Sequence, residues 1–319
     1  MRKQNNNPLP EHYQLLEYTI LKVLSTGGFS IVYLAKDKRG SLVVIKEYVP
    51  ANFSYRQDDG SQIMMIGGKE RSFKYGMSCF FQEGQALSKL SHPNIVRILN
   101  FFRANGTVYL VLRYEEGQTL HGYIKSKGSR DYNNFSEKVL LKIFIHVLSG
   151  LRKIHSCRFL HLDVKPANIY LRKDFVPVLI DFGSARQVFS AMPPNPNAGI
   201  PMYTHGYSAP EQYKKSGFLG PWSDFYALGA SLYACMARKA PQSAYERLKV
   251  DRLVPAKMLF KGLYSSDLLE LVDLCLSLDV SKRPGSGYEI QSALISIFNS
   301  CGKILYCEKR VNSGVLLVD

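Results

Sequence analysis

Apolar residues along 21–49 (LKVLSTGGFSIVYLAKDKRGSLVVIKEYV) fall into two or three β-rich runs, broken at Gly27-Gly28 and again from Lys38 to Gly40. The pattern predicts an antiparallel meander. Residues 50–78 are polar, with Asp58-Asp59-Gly60 and Gly67-Gly68 as turn signals around the short apolar piece IMMI, and are expected to form an inserted excursion. Phe80, Phe81, Leu87 and Leu90 then recur at helical intervals up to the breaker His92-Pro93-Asn94, and IVRILNFF and TVYLVLRY follow with strand character. Past Glu115-Glu116-Gly117 the period changes. Ser136 can cap a helix whose Val139, Leu140, Ile143, Phe144, Val147, Leu148 and Leu151 repeat at three and four, and further helices are predicted over 222–238, 266–278 and 288–298. The proline-rich stretch 190–201 is expected to be irregular. The prediction is a small β-rich lobe with one helix and a larger α-rich lobe, hinged near Arg113 to Gly117. There are no internal repeats, and 1–14 and 300–319 read as tails.

Composition narrows the class. A chain of 319 residues that is 46% apolar and 21% charged is globular, which excludes a disordered tail, a collagen or a coiled coil. The longest apolar stretch, Phe225 to Ala237, covers 13 residues, short of the ~20 a bilayer requires, so it predicts a buried helix and no membrane span. The opening MRKQNNNPLP carries no apolar segment behind its basic residues, which predicts a cytoplasmic chain. Cys79, Cys157, Cys235, Cys275, Cys301 and Cys307 show no Cys-x-x-Cys spacing and are expected to be mostly reduced core residues. The 41 Lys and Arg exceed the 26 Asp and Glu by 15, but they occur as singles and doublets. That distribution predicts a solvated surface and no nucleic-acid site.

His161-Leu162-Asp163-Val164-Lys165-Pro166-Ala167-Asn168, followed 18 residues after Asp163 by Asp181-Phe182-Gly183, sets two acids, an amide and a lysine on adjacent loops. This constellation resembles the catalytic and metal-binding loops of the protein-kinase family. Supporting motifs follow in family order: Lys46 in VVIKEY, Glu83 ahead of the HPNIV turn, then Ala209-Pro210-Glu211, Asp224 and Arg283. The resemblance runs from about Leu16 to Phe298, and IKEYVP, EEGQTL, KPANIYL and GPWSDFYALGA look most like bacterial Ser/Thr protein kinases. It implies an α+β, bilobal kinase domain over 15–299, with an N-lobe at 15–113, a C-lobe at 117–299 and an insert at 50–78.

Phosphoryl transfer has a loose transition state with charge spread over phosphate oxygens, so catalysis is mostly positioning and counter-charge. The resemblance implies that Asn168 and Asp181 bind Mg²⁺, with Mn²⁺ able to substitute, while Lys46, paired with Glu83, holds the α- and β-phosphates of ATP. Lys165 would neutralise the γ-phosphate and Asp163 accept the substrate proton. Gly27 and Gly28 occupy the phosphate-covering turn, where Ser25 and Ser30 replace the family's outer glycines, implying weaker nucleotide binding. Leu24, Val32, Val44, Leu112, Tyr114 and Tyr170 would wall the adenine pocket, with hydrogen bonds from the backbone of Arg113 and Glu115. Val44, standing where alanine is common, narrows it.

The resemblance further implies, through Lys165-Pro166 and Thr204, protein Ser/Thr hydroxyls as substrate. Leu162 stands where many kinases carry an arginine that pairs with a phosphate on the activation loop, so the segment from Gly183 to Ala209 is expected to need no phosphorylation. Glu211 and Arg283 are expected to form a structural ion pair, and Asp224 to anchor the catalytic-loop backbone. Lys46 and Glu83 lie 37 residues apart, more than the family usually shows, leaving 50–78 as a docking or regulatory surface or a tolerated loop. A pseudokinase scaffold and a small-molecule kinase are the alternatives. The polar catalytic set argues against the first, and Ala-Pro-Glu with the lysine after Asp163 against the second. No sequence feature points to an oligomeric state.

Overall fold

A computed structural model describes residues 7–57, 60–126, 136–182, 186–187, 203–214 and 217–311, and the chain divides into two units between Glu116 and Gly117. In the first unit, β1 (Gln14–Leu15), β2 (Tyr18–Thr26), β3 (Ser30–Lys36) and β4 (Leu42–Tyr48) run as an antiparallel meander. A separate hairpin of β5 (Ser54–Arg56) and β6 (Ile63–Met65) precedes α1 (Glu70–Ser88). Strands β7 (Ile98–Ala104) and β8 (Thr107–Arg113) complete a six-stranded sheet in the order β1-β2-β3-β4-β8-β7.

Side chains alternate across a pleated strand, so the register fixes what each face carries. Val32 sits opposite Lys46, Lys46 opposite Leu110, and Val44 opposite both Leu34 and Leu112, which puts all six on one face. Helix α1 covers part of that face at close range. A Cβ on Gly84 would lie 2.3 Å from a Leu110 methyl, and one on Gly76 would lie 2.0 Å from the Tyr48 hydroxyl. The opposite face carries Ile31, Tyr33, Ala35, Val43, Ile45, Glu47, Tyr109 and Val111, all buried.

In the first unit two boundaries differ from the sequence expectation. The excursion at 50–78 is a hairpin followed by the first turns of α1. Helix α1 begins at Glu70, ten residues before Phe80, and Gly76 in these first turns is needed for close packing against Tyr48. The N-terminal segment is no free tail from residue 7 onward, because Leu9 and Leu15 belong to the core and the Leu9 N–H donates to the Tyr33 hydroxyl at 3.0 Å.

The second unit opens with β9 (Gly117–Thr119), α2 (Leu120–Ser126) and α3 (Glu137–Ser156), then β10 (Phe159–Leu160), β11 (Ile169–Arg172), β12 (Pro177–Leu179) and β13 (Arg186–Gln187). Strands β12, β11 and β9 form one antiparallel sheet, β10 and β13 another. Gly117 is required where it stands, since a Cβ there would fall 2.0 Å from the Leu171 carbonyl oxygen. Ser136 caps α3 by accepting the Val139 N–H at 3.4 Å, and the stripe from Leu140 to Ile154 faces the core.

Helices α4 (Pro221–Ala237), α5 (Ala244–Arg247), α6 (Ala256–Leu259), α7 (Ser266–Cys275) and α8 (Gly287–Val311) follow. The apolar run of α4 is buried from Ser223 to Cys235, as a helix in the middle of a core must be. Helix α8 continues past residue 299 to Val311, so the expected tail is helical over 300–311. The proline-rich stretch 190–201 lies outside the described residues. Among the described cysteines only Cys235 and Cys275 are buried, and burial pushes the Cys275 thiol up to about 12; Cys79 is exposed and Cys157 and Cys301 half-buried, against the expected core placement. Cys307 carries no described side chain. Among the described residues no helix is long and apolar enough to cross a membrane.

Helices α4 and α7 touch where Gly229 faces Cys275, and a Cβ on Gly229 would lie 2.5 Å from the Cys275 Cβ. Gly229→Val overpacks this contact and is expected to lower stability by about 1–3 kcal/mol, read from urea unfolding of the full chain. An unchanged midpoint would show that the two helices can part at no cost.

Candidate active site

The loop from β10 to β11 is built on one buried carboxylate. Asp224, in the first turn of α4, accepts the His161 N–H at 2.9 Å and the Leu162 N–H at 2.7 Å, and its Oδ2 lies 2.7 Å from His155 Nε2. Burial alone would raise the Asp224 carboxyl, yet the His155 hydrogen bond and charge and the backbone donor hold it below the usual carboxylate range. Leu162 adopts a left-handed conformation at φ 60°. That conformation costs a side chain with a Cβ about 1–2 kcal/mol. The Asp224 bond to its N–H, the Gln212 Nε2 bond to its carbonyl at 3.1 Å, and burial of its side chain to 4% offset the cost.

His161 packs its ring against Phe182 at 4.8 Å, and its Nδ1 accepts the Asp163 N–H at 3.3 Å. Complete burial drives its pKa down against the pull of Asp224, Asp163 and Asp181, so the ring is neutral at pH 7. Its Nε2 has no partner among the described residues.

Asp163 is the hub of a closed set of hydrogen bonds. Its Oδ1 accepts from Thr204 Oγ1 at 2.7 Å, and its Oδ2 accepts from Lys165 Nζ and Asn168 Nδ2, each at 2.8 Å. Lys165 Nζ also donates to Thr204 Oγ1 at 3.0 Å, which ties the acid, the cation and the hydroxyl into a ring. Asn168 is fixed from three sides: Nδ2 donates to the Asp163 carbonyl at 2.9 Å, its N–H to the Lys165 carbonyl at 2.8 Å, and its own carbonyl accepts the Ile180 N–H at 2.9 Å. With the amide nitrogen committed, Oδ1 is the Asn168 atom suited to a hard cation. Asp181 follows Ile180 directly, is exposed, and takes φ 61°, a conformation aspartate tolerates. Gly183 lies outside the described residues.

The remaining candidates belong to the first unit, apart from Tyr170 on β11. Lys46 is buried to 7% on β4, with Nζ 5.7 Å from the centre of the Phe80 ring. Glu83 lies in α1 next to Gly84, the glycine that abuts Leu110, and Leu110 is the strand partner of Lys46; the Glu83 side chain is outside the described part. Val32, Val44 and Leu112 are half-buried on the Lys46 face, whereas Leu24 on β2 is 45% exposed. Gly27 and Gly28 form the turn between β2 and β3, closed by the Gly27 N–H to the Ser30 carbonyl at 2.9 Å. The Arg113 N–H is taken by the Arg97 carbonyl at 2.9 Å, so any contact from Arg113 to a base falls to its carbonyl. Tyr114 and Glu115 follow β8, half-buried.

Three contributors escaped the sequence reading. Gln212 holds the Leu162 carbonyl, His155 holds Asp224, and Arg56 pairs with Glu47 behind Lys46. None repeats at a period or sits in a recognisable motif. The one local signal was a second charge immediately after Lys46 in a strand that should bury that position.

Within the second unit, Arg283 grips Glu211 with two bonds, Nη1 to Oε1 at 2.8 Å and Nη2 to Oε2 at 3.0 Å. Arg283 Nε donates to the Ser277 carbonyl, and Ser223 Oγ donates to Glu211 Oε1.

The protein kinase domain model matches residues 18–295, and the chain belongs to that family. Its fold is accordingly the α+β, two-lobed protein-kinase fold. Serine/threonine-protein kinase D of Synechocystis sp. is 28% identical over 292 residues, 89% of this chain and 52% of the relative. Serine/threonine-protein kinase PknA of Nostoc sp. is 32% identical over 237 residues, 72% of this chain and 39% of the relative. The chain thus spans about half or less of the curated relatives it matches. The solved apo form of PpkA-294 superposes with a TM-score of 0.75 at 30% identity, covering 91% of this chain and 100% of the other. The kinase domain of Mycobacterium tuberculosis PknI, at 20% identity and a TM-score of 0.66, shares the fold.

Arg283→Met leaves the Glu211 charge buried and unpaired, with an expected loss of about 3–5 kcal/mol in denaturant unfolding. Glu211→Gln/Arg283→Met should recover most of it, because no orphan charge remains.

Proposed function

We propose that the chain is an ATP-dependent serine/threonine protein kinase that transfers the γ-phosphoryl group to protein hydroxyls. The observation that carries this reading is the hydrogen-bonded ring of Asp163, Lys165 and Thr204, closed on one side by Asn168. Asp163 presents a carboxylate whose orientation is fixed by three donors, so an incoming hydroxyl can pass its proton to an oxygen already in place. Lys165 keeps its ammonium beside that carboxylate, where it offsets negative charge gathering on a transferring phosphoryl. Thr204 bonds both and locks their separation, which supports a Ser/Thr rather than a tyrosine substrate.

Protein kinases generally use ATP with Mg²⁺, and the donor set fits that ion: Asn168 Oδ1 and the Asp181 carboxylate are hard oxygen ligands. Bound there, Mg²⁺ would neutralise phosphate charge; Mn²⁺ would fit the same oxygens. In the first unit, Lys46 supplies the cation for the α- and β-phosphates, the glycine turn supplies N–H groups, and Val32, Val44 and Leu112 supply an apolar face for adenine.

The reading extends to control of the site. Leu162 is buried, and both its N–H and its carbonyl are hydrogen-bonded, so the loop before Asp163 has its shape without a phosphate partner. This supports activity independent of phosphorylation in the segment from Gly183 to Ala209, much of which lies outside the described residues.

Two outcomes are expected from one assay with labelled ATP, Mg²⁺ and generic basic and acidic proteins. Asp163→Asn should lower transfer by about 10²–10⁴-fold while nucleotide binding persists. Phosphatase-treated protein should keep its rate. A wild-type rate equal to that of Asp163→Asn would favour a binding scaffold, and loss of activity on phosphatase treatment with recovery on rephosphorylation would overturn the independence.

A further inference from the structure

A turn that binds phosphate must show its N–H groups and hide its carbonyls, yet a flexible turn presents both in alternation. Here the outer glycines of the family's loop are Ser25 and Ser30, and Gly27 and Gly28 are both exposed. The carbonyl edge is occupied from within the unit: the Gly28 carbonyl accepts the Ala51 N–H and the Phe29 carbonyl accepts the Val49 N–H, each at 2.9 Å. Among the described residues the N–H groups of Gly28 and Phe29 donate to nothing, and a Cβ built on Gly28 would meet no atom within 4 Å. One edge of the turn is tied down and the other is open.

The chain that does the tying, residues 49–51, is itself closed into a loop. The Pro50 carbonyl accepts the N–H groups of Phe53 and Ser54 at 2.9 Å and the Ser54 hydroxyl at 3.1 Å. Nine residues after Glu47, Arg56 returns to it: Nη2 donates to Glu47 Oε1, Nη1 to the Asn7 carbonyl at 2.6 Å, and Nε to the Ser61 carbonyl at 3.0 Å. Glu47 also accepts the hydroxyls of Tyr33 at 2.7 Å and Tyr109 at 2.5 Å. Both charges are at most 1% exposed. A buried ion pair adds little net stability over well-packed apolar residues, but its directional bonds specify one geometry.

Resting on the nucleotide-binding reading above, we propose that Arg56 is a positioning residue: its ion pair with Glu47 straps residues 49–51 against the glycine turn, so that the carbonyls of Gly28 and Phe29 stay engaged and the N–H edge is preset for the ATP phosphates. The hairpin β5–β6, which carries Arg56, is then the part of the nucleotide machinery that compensates for the two missing glycines. The strap also fixes β4 from the face opposite Lys46.

The test compares the full-length protein with Arg56→Met and with Glu47→Gln/Arg56→Met, the second leaving no buried charge unpaired and so keeping the fold accessible to measurement. If the strap sets the competent turn, releasing it to a competent fraction of about 10–20% weakens nucleotide affinity about five- to tenfold. The expected result in the double variant is that weakening for a fluorescent ATP analogue, faster amide exchange at Val49 and Ala51, and a melting temperature near that of the wild type. Arg56→Lys, which keeps the charge but not the fork, should fall between. Accelerated exchange with unchanged nucleotide affinity would overturn the proposal, as would unchanged exchange. Wild-type protein that binds no nucleotide would instead sink the kinase reading itself.

Discussion

The second unit depends on a single buried carboxylate. Asp224 takes the N–H groups of His161 and Leu162 into one side chain and thereby forces the backbone between them into a conformation that Leu162 would not choose. Once that turn is set, the direction of Asp163 follows, and the Lys165, Asn168 and Thr204 side chains can reach its two oxygens. The helix carrying Asp224 is buried along most of its length, so the anchor is as immobile as the core. Local strain at the functional loop is balanced by global packing, a common arrangement where a site must be rigid.

In the first unit the organising constraint is the parity of a strand. Lys46 and Glu47 are neighbours in sequence and necessarily face opposite sides of the sheet. One faces α1 and the apolar row of Val32, Val44 and Leu112; the other is sealed beneath the hairpin and the N-terminal segment. Any force that fixes Glu47 therefore fixes Lys46, although the two side chains never share a surface.

What could be read from the chain followed from motif density and period. Helix α3 carried its stripe and cap openly, α4 its unbroken apolar run, and the loop around Asp163 its polar residues at fixed spacing. The Glu211–Arg283 pair spans 72 residues and was legible only through family resemblance, since no local pattern links the two. Strands β5 and β6 are three residues each, too short for alternation to register. The first turns of α1 were hidden because Gly76, which propensity counts against a helix, is what lets it approach Tyr48. Leu9 gave no signal because prolines flank it on both sides. Each miss is a place where tertiary contact, not local preference, decides the structure.

The burial of Leu9 and the bond from Arg56 to the Asn7 carbonyl bear on where this domain begins. A fragment trimmed to the matched span, 18–295, would discard both, uncovering Tyr33 and leaving the Arg56 guanidinium short of one acceptor in a place water scarcely reaches. The interior of the first unit therefore draws on residues upstream of the matched span, through one buried side chain, Leu9, between exposed neighbours, and through the Asn7 carbonyl.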